Sequence, residues 1–141
     1  MAMVIDASVT LAWVFVDEWS EFTDALLGQL PQTRAVVPLI WLLEIANALT
    51  VAERRRRIAR ADSDRFIAEL LGLPIEVDDG SLAPAFGTVL ALARQTGLSV
   101  YDASYLELAQ RRGLPLATQD RRLAAAAAQL EIPLVAEEQA S

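Results

Sequence analysis

The sequence predicts an α/β fold, a mostly parallel five-stranded sheet with helices over both faces, and three observations carry that expectation. Five short apolar runs, bounded by Pro, Gly or charged residues, alternate with longer segments of helical periodicity. The hydrophobic fraction is 54% while aromatics make up only 6%, so the core has to be built from Ala, Leu, Val and Ile, which suit helices packed on buried parallel strands. At 141 residues the chain has the length of one domain, which buries roughly two-thirds of its unfolded surface, and residues 1–141 read as a single domain.

Taken in order, Met3 to Ile5 is the first strand, and Asp6 is placed to cap a helix beginning near Ser8. Arg34 to Val37 is the second strand. Leu39 to Arg57 follows as a helix, with Leu39, Leu42, Ile45, Ala46 and Leu49 on one buried face. Asp62 is placed to cap a helix running to Leu71, which Gly72 and Pro74 stop, and Pro74 to Val77 is the third strand. A helix over Leu82 to Thr96 ends at Gly97, and another over Val100 to Arg112 ends at Gly113 with Pro115 beyond it. Leu114 to Ala117, a helix over Arg121 to Leu130 behind Asp120, and Ile132 to Val135 complete the alternation. Strands separated by helices need right-handed crossovers, hence parallel pairing. Ligands bind such sheets beyond the carboxyl ends of the strands, where strand order reverses. Asp6 follows the first strand and Asp120 the fourth, so neighbouring placement of those two strands would put both carboxylates in one crevice.

Composition narrows the chemistry. All 12 basic residues are arginine, and His, Cys and Lys are absent. That excludes Ser-His-Asp and Cys-His nucleophiles, a histidine zinc site, a lysine Schiff base and a P-loop. Receiver domains and haloacid-dehalogenase-like phosphatases also gather aspartates at strand ends, but they need a lysine. Without Cys there is no disulfide framework. The amino terminus carries an acid inside its apolar stretch and no basic region, and no apolar run reaches the ~20 residues of a membrane span, so a cytoplasmic location is expected. A net charge of −7 disfavours non-specific nucleic-acid binding, yet Arg54 to Arg57 form one basic run and Arg111-Arg112 and Arg121-Arg122 two pairs.

Each acid has a structural reading beside a functional one. Asp6 and Asp120 fit helix caps. Asp102 fits the end of a capping box opened by Ser99. Glu44 is harder to dismiss, because it sits mid-helix between Leu43 and Ile45, where a carboxylate needs a partner; an arginine is the structural alternative. Asn47 shares its side of that helix. Convergence of several carboxylates would raise their pKa values unless a cation neutralised them, and oxygen-only ligation selects Mg²⁺ or Mn²⁺. Ser8 and Thr118 add hydroxyls suited to orienting a carboxylate or a metal-bound water. The chemistry implied is metal-assisted attack of water on a phosphodiester.

Four segments resemble the PIN-domain ribonucleases, and more narrowly the VapC-type toxins of bacterial toxin-antitoxin pairs. They are Met-Val-Ile-Asp6-Ala-Ser8, Pro38-Leu-Ile-Trp-Leu-Leu-Glu44-Ile-Ala-Asn47, Tyr101-Asp102-Ala-Ser-Tyr-Leu-Glu-Leu-Ala, and Leu116-Ala-Thr118-Gln-Asp120-Arg-Arg-Leu. The resemblance covers nearly the whole chain in order. It implies a three-layer α/β/α sandwich and an acidic pocket that holds Mg²⁺ or Mn²⁺ and cleaves single-stranded regions of RNA. Asp6, Glu44, Asp102 and Asp120 match the family's catalytic quartet, with Asp6, Asp102 and Asp120 toward the metal and Ser8, Asn47 and Thr118 in support. It also implies a homodimer and a cognate antitoxin whose tail blocks the pocket. Arg121 and Arg122, beside Asp120, are candidates for phosphate contact. Arg54 and Arg55 fit either RNA contact or a solvated helix end. A non-catalytic interaction module with the same fold, or a structure-specific DNA nuclease, are the alternatives.

Overall fold

Four short strands, β1 (Ala2–Ile5), β2 (Arg34–Pro38), β3 (Ile75–Asp78) and β4 (Leu116–Ala117), pair in parallel in the order β3-β2-β1-β4. The structure is a computed structural model that describes residues 1–80 and 84–136. Register pairs Val4 with Val36 on one side of β1 and with Leu116 on the other. Met3, Val4, Ile5, Ala35, Val36 and Val37 are all buried, as strands covered on both faces require. Since β2 and β3 lie to one side of β1 and β4 to the other, strand order reverses between β1 and β4, and the residues leaving those strands are side by side.

The expected fifth strand is reduced to one bridge, Leu116 with Leu134, made by Leu116 N–H to Pro133 O and Val135 N–H to Leu116 O, each 2.9 Å. With only two residues in β4, and a proline that offers no N–H, the ladder has no room to extend.

The predicted helix after β1 is broken in two. Asp6 caps α1 (Ala7–Leu11), a 3₁₀ turn occupies Val16–Glu18, and α2 runs over Glu21–Gln29. The second start is a capping box: Ser20 Oγ accepts from Thr23 N–H, and Thr23 Oγ1 accepts from Ser20 N–H, each at 3.1 Å. Helix α3 (Leu39–Arg54) ends three residues sooner than predicted, because Arg56 turns left-handed at φ 58°. Arg57 then folds back, its guanidinium 3.1 Å from both Asp17 oxygens and stacked 4.6 Å above the Phe15 ring. Asp62 lies in the first turn of α4 (Arg60–Leu71), whose cap is Ala59. A π-helical turn over Ala85–Val89 leads into α5 (Leu90–Thr96), which ends at Gly97 with φ 77°; the expected start at Leu82 lies outside the described residues. Helix α6 (Val100–Arg112) ends at Gly113 with φ 63°, and α7 (Arg121–Gln129) follows β4.

Helix α6 is the central post of the core, with every residue from Ala103 to Ala109 buried. Its carboxyl end is clamped to β3. Arg111 binds Glu107 at 2.6 Å and Asp78 at 2.9 Å, and Arg112 reaches Asp78 at 3.2 Å and also pairs with Glu76. Among the described residues no helix is long and apolar enough to cross a membrane.

Candidate acidic active site

Asp6 is the first residue beyond β1, 4% exposed, and both of its carboxylate oxygens are engaged. Oδ1 accepts from Ser8 Oγ at 2.7 Å and from Val9 N–H at 3.1 Å, the latter being the cap of α1. Oδ2 accepts from Thr118 Oγ1. The capping reading of Asp6 is therefore correct for one oxygen and incomplete for the other. Beyond β4, Thr118 Oγ1 also accepts from Asp120 N–H and Ser8 Oγ accepts from Gln119 N–H, each 2.9 Å, so the two hydroxyls tie the Thr118–Asp120 loop to the end of β1. Behind Asp6, Trp41 Nε1 donates to Thr10 Oγ1 at 2.9 Å, and Thr10 Oγ1 donates to the Asp6 carbonyl at 3.2 Å.

Among the described residues Glu44, half-buried on α3, is paired with no arginine. Its Oε1 accepts from the Tyr105 hydroxyl at 2.6 Å. Asp102 lies in the first turn of α6, where Ser99 Oγ accepts its N–H at 3.1 Å and so makes half of the predicted capping box. Asp120 caps α7: Oδ1 accepts from Arg122 N–H at 2.9 Å and Leu123 N–H at 3.1 Å.

Electrostatics tie these four acids together. Burial raises the carboxyl of Asp6 above its ordinary range, bonds from Thr118, Ser8 and Val9 oppose the rise, and the charge of Asp120 adds to it. Burial likewise raises Glu44 against the Tyr105 hydrogen bond, with Asp102 and Asp6 adding repulsion. Asp102 is raised by burial and then by Asp120, and lowered by Ser99 and Arg122. Such a set is short of positive charge. Its donors are all oxygen, which fits Mg²⁺ or Mn²⁺ rather than zinc. Among the described residues no three acids are drawn together closely enough to form a metal-holding group, so a divalent ion would need oxygen ligands beyond these side chains.

Of the predicted arginines, the charge of Arg122 reaches Asp102, and its guanidinium lies 3.5 Å from the Gly97 carbonyl. Arg121 is exposed beside it. Arg54 and Arg55 are not brought to the acids: they sit ten and eleven residues beyond Glu44, at the end of α3 and its cap, about 15 Å away at the helical rise. Asn47 is exposed one turn beyond Glu44, and among the described residues it makes no hydrogen bond to the acids. Sequence reasoning missed Tyr105 and Gln119. Tyr105 had a signal, being three residues after Asp102 and hence on the same side of α6.

The crowded acids have a measurable signature. Asp6, Glu44 and Asp102 bind protons more tightly when folded than unfolded, so chelator-treated protein gains stability as pH falls through their raised values toward about 4, where the unfolded chain also protonates. Glu76 and Asp78, held below their ordinary values by Arg112 and Arg111, act oppositely and lose their contribution on further acidification. Melting temperatures measured from about pH 7 to about pH 3 should therefore peak on the acid side of neutrality. A steady fall from pH 7 would show that the acids are not crowded.

Comparison with known proteins places this geometry. The PIN domain family profile matches residues 3–129. Over 124 residues the chain is 31% identical to Ribonuclease VapC3 of Pyrobaculum aerophilum, spanning 88% of this chain and 93% of that protein. It is 32% identical over 123 residues to Exonuclease VapC9 of the same organism, spanning 86% and 83%. Among solved structures, PAE2754 from Pyrobaculum aerophilum superposes with a TM-score of 0.66 at 28% identity, covering 89% of this chain and 79% of that one. VapBC2 from Rickettsia felis, bound to a DNA fragment from its promoter, shares the fold at a TM-score of 0.66 and 11% identity, covering 95% and 96%. With a matching profile over most of its length and VapC relatives above 30% identity, the chain belongs to the PIN domain family, and within it to the VapC proteins.

Proposed function

We propose that this protein is a metal-dependent endoribonuclease, the toxin of a toxin-antitoxin pair, which cleaves single-stranded regions of RNA by attack of water on a phosphodiester. One observation carries the reading. Four carboxylates from four separate elements lie within reach of one another's charge beside the point where strand order reverses, and burial together with that charge raises three of them. A bound divalent ion would supply activation of water and neutralisation of the phosphate.

Asp6, Asp102 and Asp120 are the acids assigned to that ion, and Glu44 is the one assigned to orient the water and take its proton. Ser8 and Thr118 fix the direction of the Asp6 carboxylate, leaving it no freedom to turn away. Arg122, within electrostatic reach of Asp102, is assigned to hold the substrate phosphate, with Arg121 next to it. Asn47 is a support at the rim, and Arg54 and Arg55 are placed for nucleotides remote from the cut.

The protein as made should cut single-stranded RNA with Mg²⁺ or Mn²⁺ and stop when EDTA is added. Products decide between modes. Discrete internal fragments support an endonuclease, whereas progressive trimming would favour the exonuclease activity named for one relative. Cleavage of a DNA flap in preference to RNA, or no cleavage with either ion, would sink the proposal.

We also infer a homodimer and a cognate antitoxin, acting in the cytoplasm. Phe86 is 95% exposed, and with Val100, Tyr101 and Ile40 it forms an apolar surface beside the site that a second copy would cover. Light scattering that reads a monomer at micromolar concentration would remove the dimer.

A further inference from the structure

We propose that Tyr105 is a positioning residue of the nuclease, whose hydroxyl holds Glu44 so that one carboxylate oxygen is committed to the protein and the other is presented to the site. The inference rests on the nuclease reading above. Tyr105 is 1% exposed and sits in the middle of the buried stretch of α6, where a phenylalanine would fill the same space. Packing alone gives no use for its hydroxyl, and burying one needs a partner. The partner here is Oε1 of Glu44, 2.6 Å away on α3 and 61 residues distant in the chain. The Ala7 backbone N–H also acts on the phenolic oxygen.

Three segments therefore bear on one hydroxyl. Ala7 follows Asp6 directly, Tyr105 lies one helical turn beyond Asp102, and Glu44 is the bonded acid. The hydroxyl thus references the position of Glu44 to the two neighbouring acids. Without it, a half-exposed glutamate between Leu43 and Ile45 would swing toward water and away from two like charges. Because an Oε1 so engaged cannot rotate out, Oε2 is left as the oxygen that works.

Tyr105→Phe removes only the oxygen. Expected results are a fall in kcat of about 10-fold, the usual cost of losing an outer partner of a catalytic ligand, with KM for single-stranded RNA within about 2-fold. The melting temperature should stay within a few degrees, and a crystal structure of the variant should show the Glu44 carboxylate displaced or spread over rotamers. A Glu44 carboxylate that does not move, or a kcat equal to that of the unaltered protein, overturns the proposal. If the unaltered protein cuts no RNA, the nuclease reading is what fails, and the crystallographic result alone decides whether Tyr105 positions Glu44.

Discussion

Replacing Asp6 by asparagine is expected to lower RNA cleavage by at least about 10³-fold, the equivalent of several kcal/mol of metal-derived stabilisation, while leaving the fold intact. Asparagine keeps the shape, and its Oδ1 can still accept from Ser8 and from Val9 N–H, so the cap of α1 survives. What disappears is a charge whose burial already works against the folded state. The melting temperature of Asp6→Asn should therefore equal or exceed that of the unaltered protein in chelator. The same exchange should abolish toxicity: cells expressing the unaltered chain stop growing, and cells expressing the variant do not. Undiminished cleavage by Asp6→Asn would remove Asp6 from the metal site, and collapse of the fold would show that its structural bonds dominate.

The second large effect lies away from the acids. Arg111→Met is expected to destabilise the protein by about 2–3 kcal/mol, below the usual cost of removing one partner of a fully buried pair because the Arg111 side chain is 35% exposed, and so to lower the melting temperature by about 5–10 °C. Glu107 is 3% exposed and Asp78 9%, and the guanidinium of Arg111 joins both. Without it, Glu107 loses its ion-pair partner and Asp78 keeps only Arg112. The sign with pH follows from Asp78, whose carboxyl is held below its ordinary 3.8 by the Arg111 hydrogen bond. Its contribution is full above that value and is lost as pH falls toward the depressed one, so the gap between the two proteins should close below about pH 4. An Arg111→Met protein as stable as the parent would mean that water reaches these carboxylates. Because α6 also carries Asp102 and Tyr105, loosening its far end should slow cleavage as well.

How much of this was legible in the sequence depends on the kind of signal. Asp6 and Asp120 were readable because each ends an apolar run, and Glu44 because a carboxylate amid leucine and isoleucine needs a partner. That β1 and β4 are neighbours was a condition in the sequence and became a fact only through pairing of Ile5 with Ala117. The partner of Glu44 was not readable. A tyrosine at helical spacing looks like core, which Tyr105 also is, and nothing in the chain says where its oxygen points. Ile132 to Val135 has the composition of a strand, but strand length is decided by the partner, and β4 offers two residues. The break between α1 and α2 was marked by Ser20 and Thr23, a cap whose second member is not the usual Glu or Gln. Arg54 to Arg57 read as one basic run, yet the left-handed Arg56 splits it and sends Arg57 to Asp17.

The hydrogen bond from Thr118 to Asp6 spans 112 residues of chain. During synthesis Asp6 is therefore made long before the loop that orients it, and a nascent or prematurely terminated chain lacking Thr118 and Asp120 holds only part of the proposed cutting centre. On the proposed function, harm to the host cell begins only after that loop has been made. Stop codons that spare the cell should accordingly be recovered at positions throughout the segment from Asp6 to the codons for that loop.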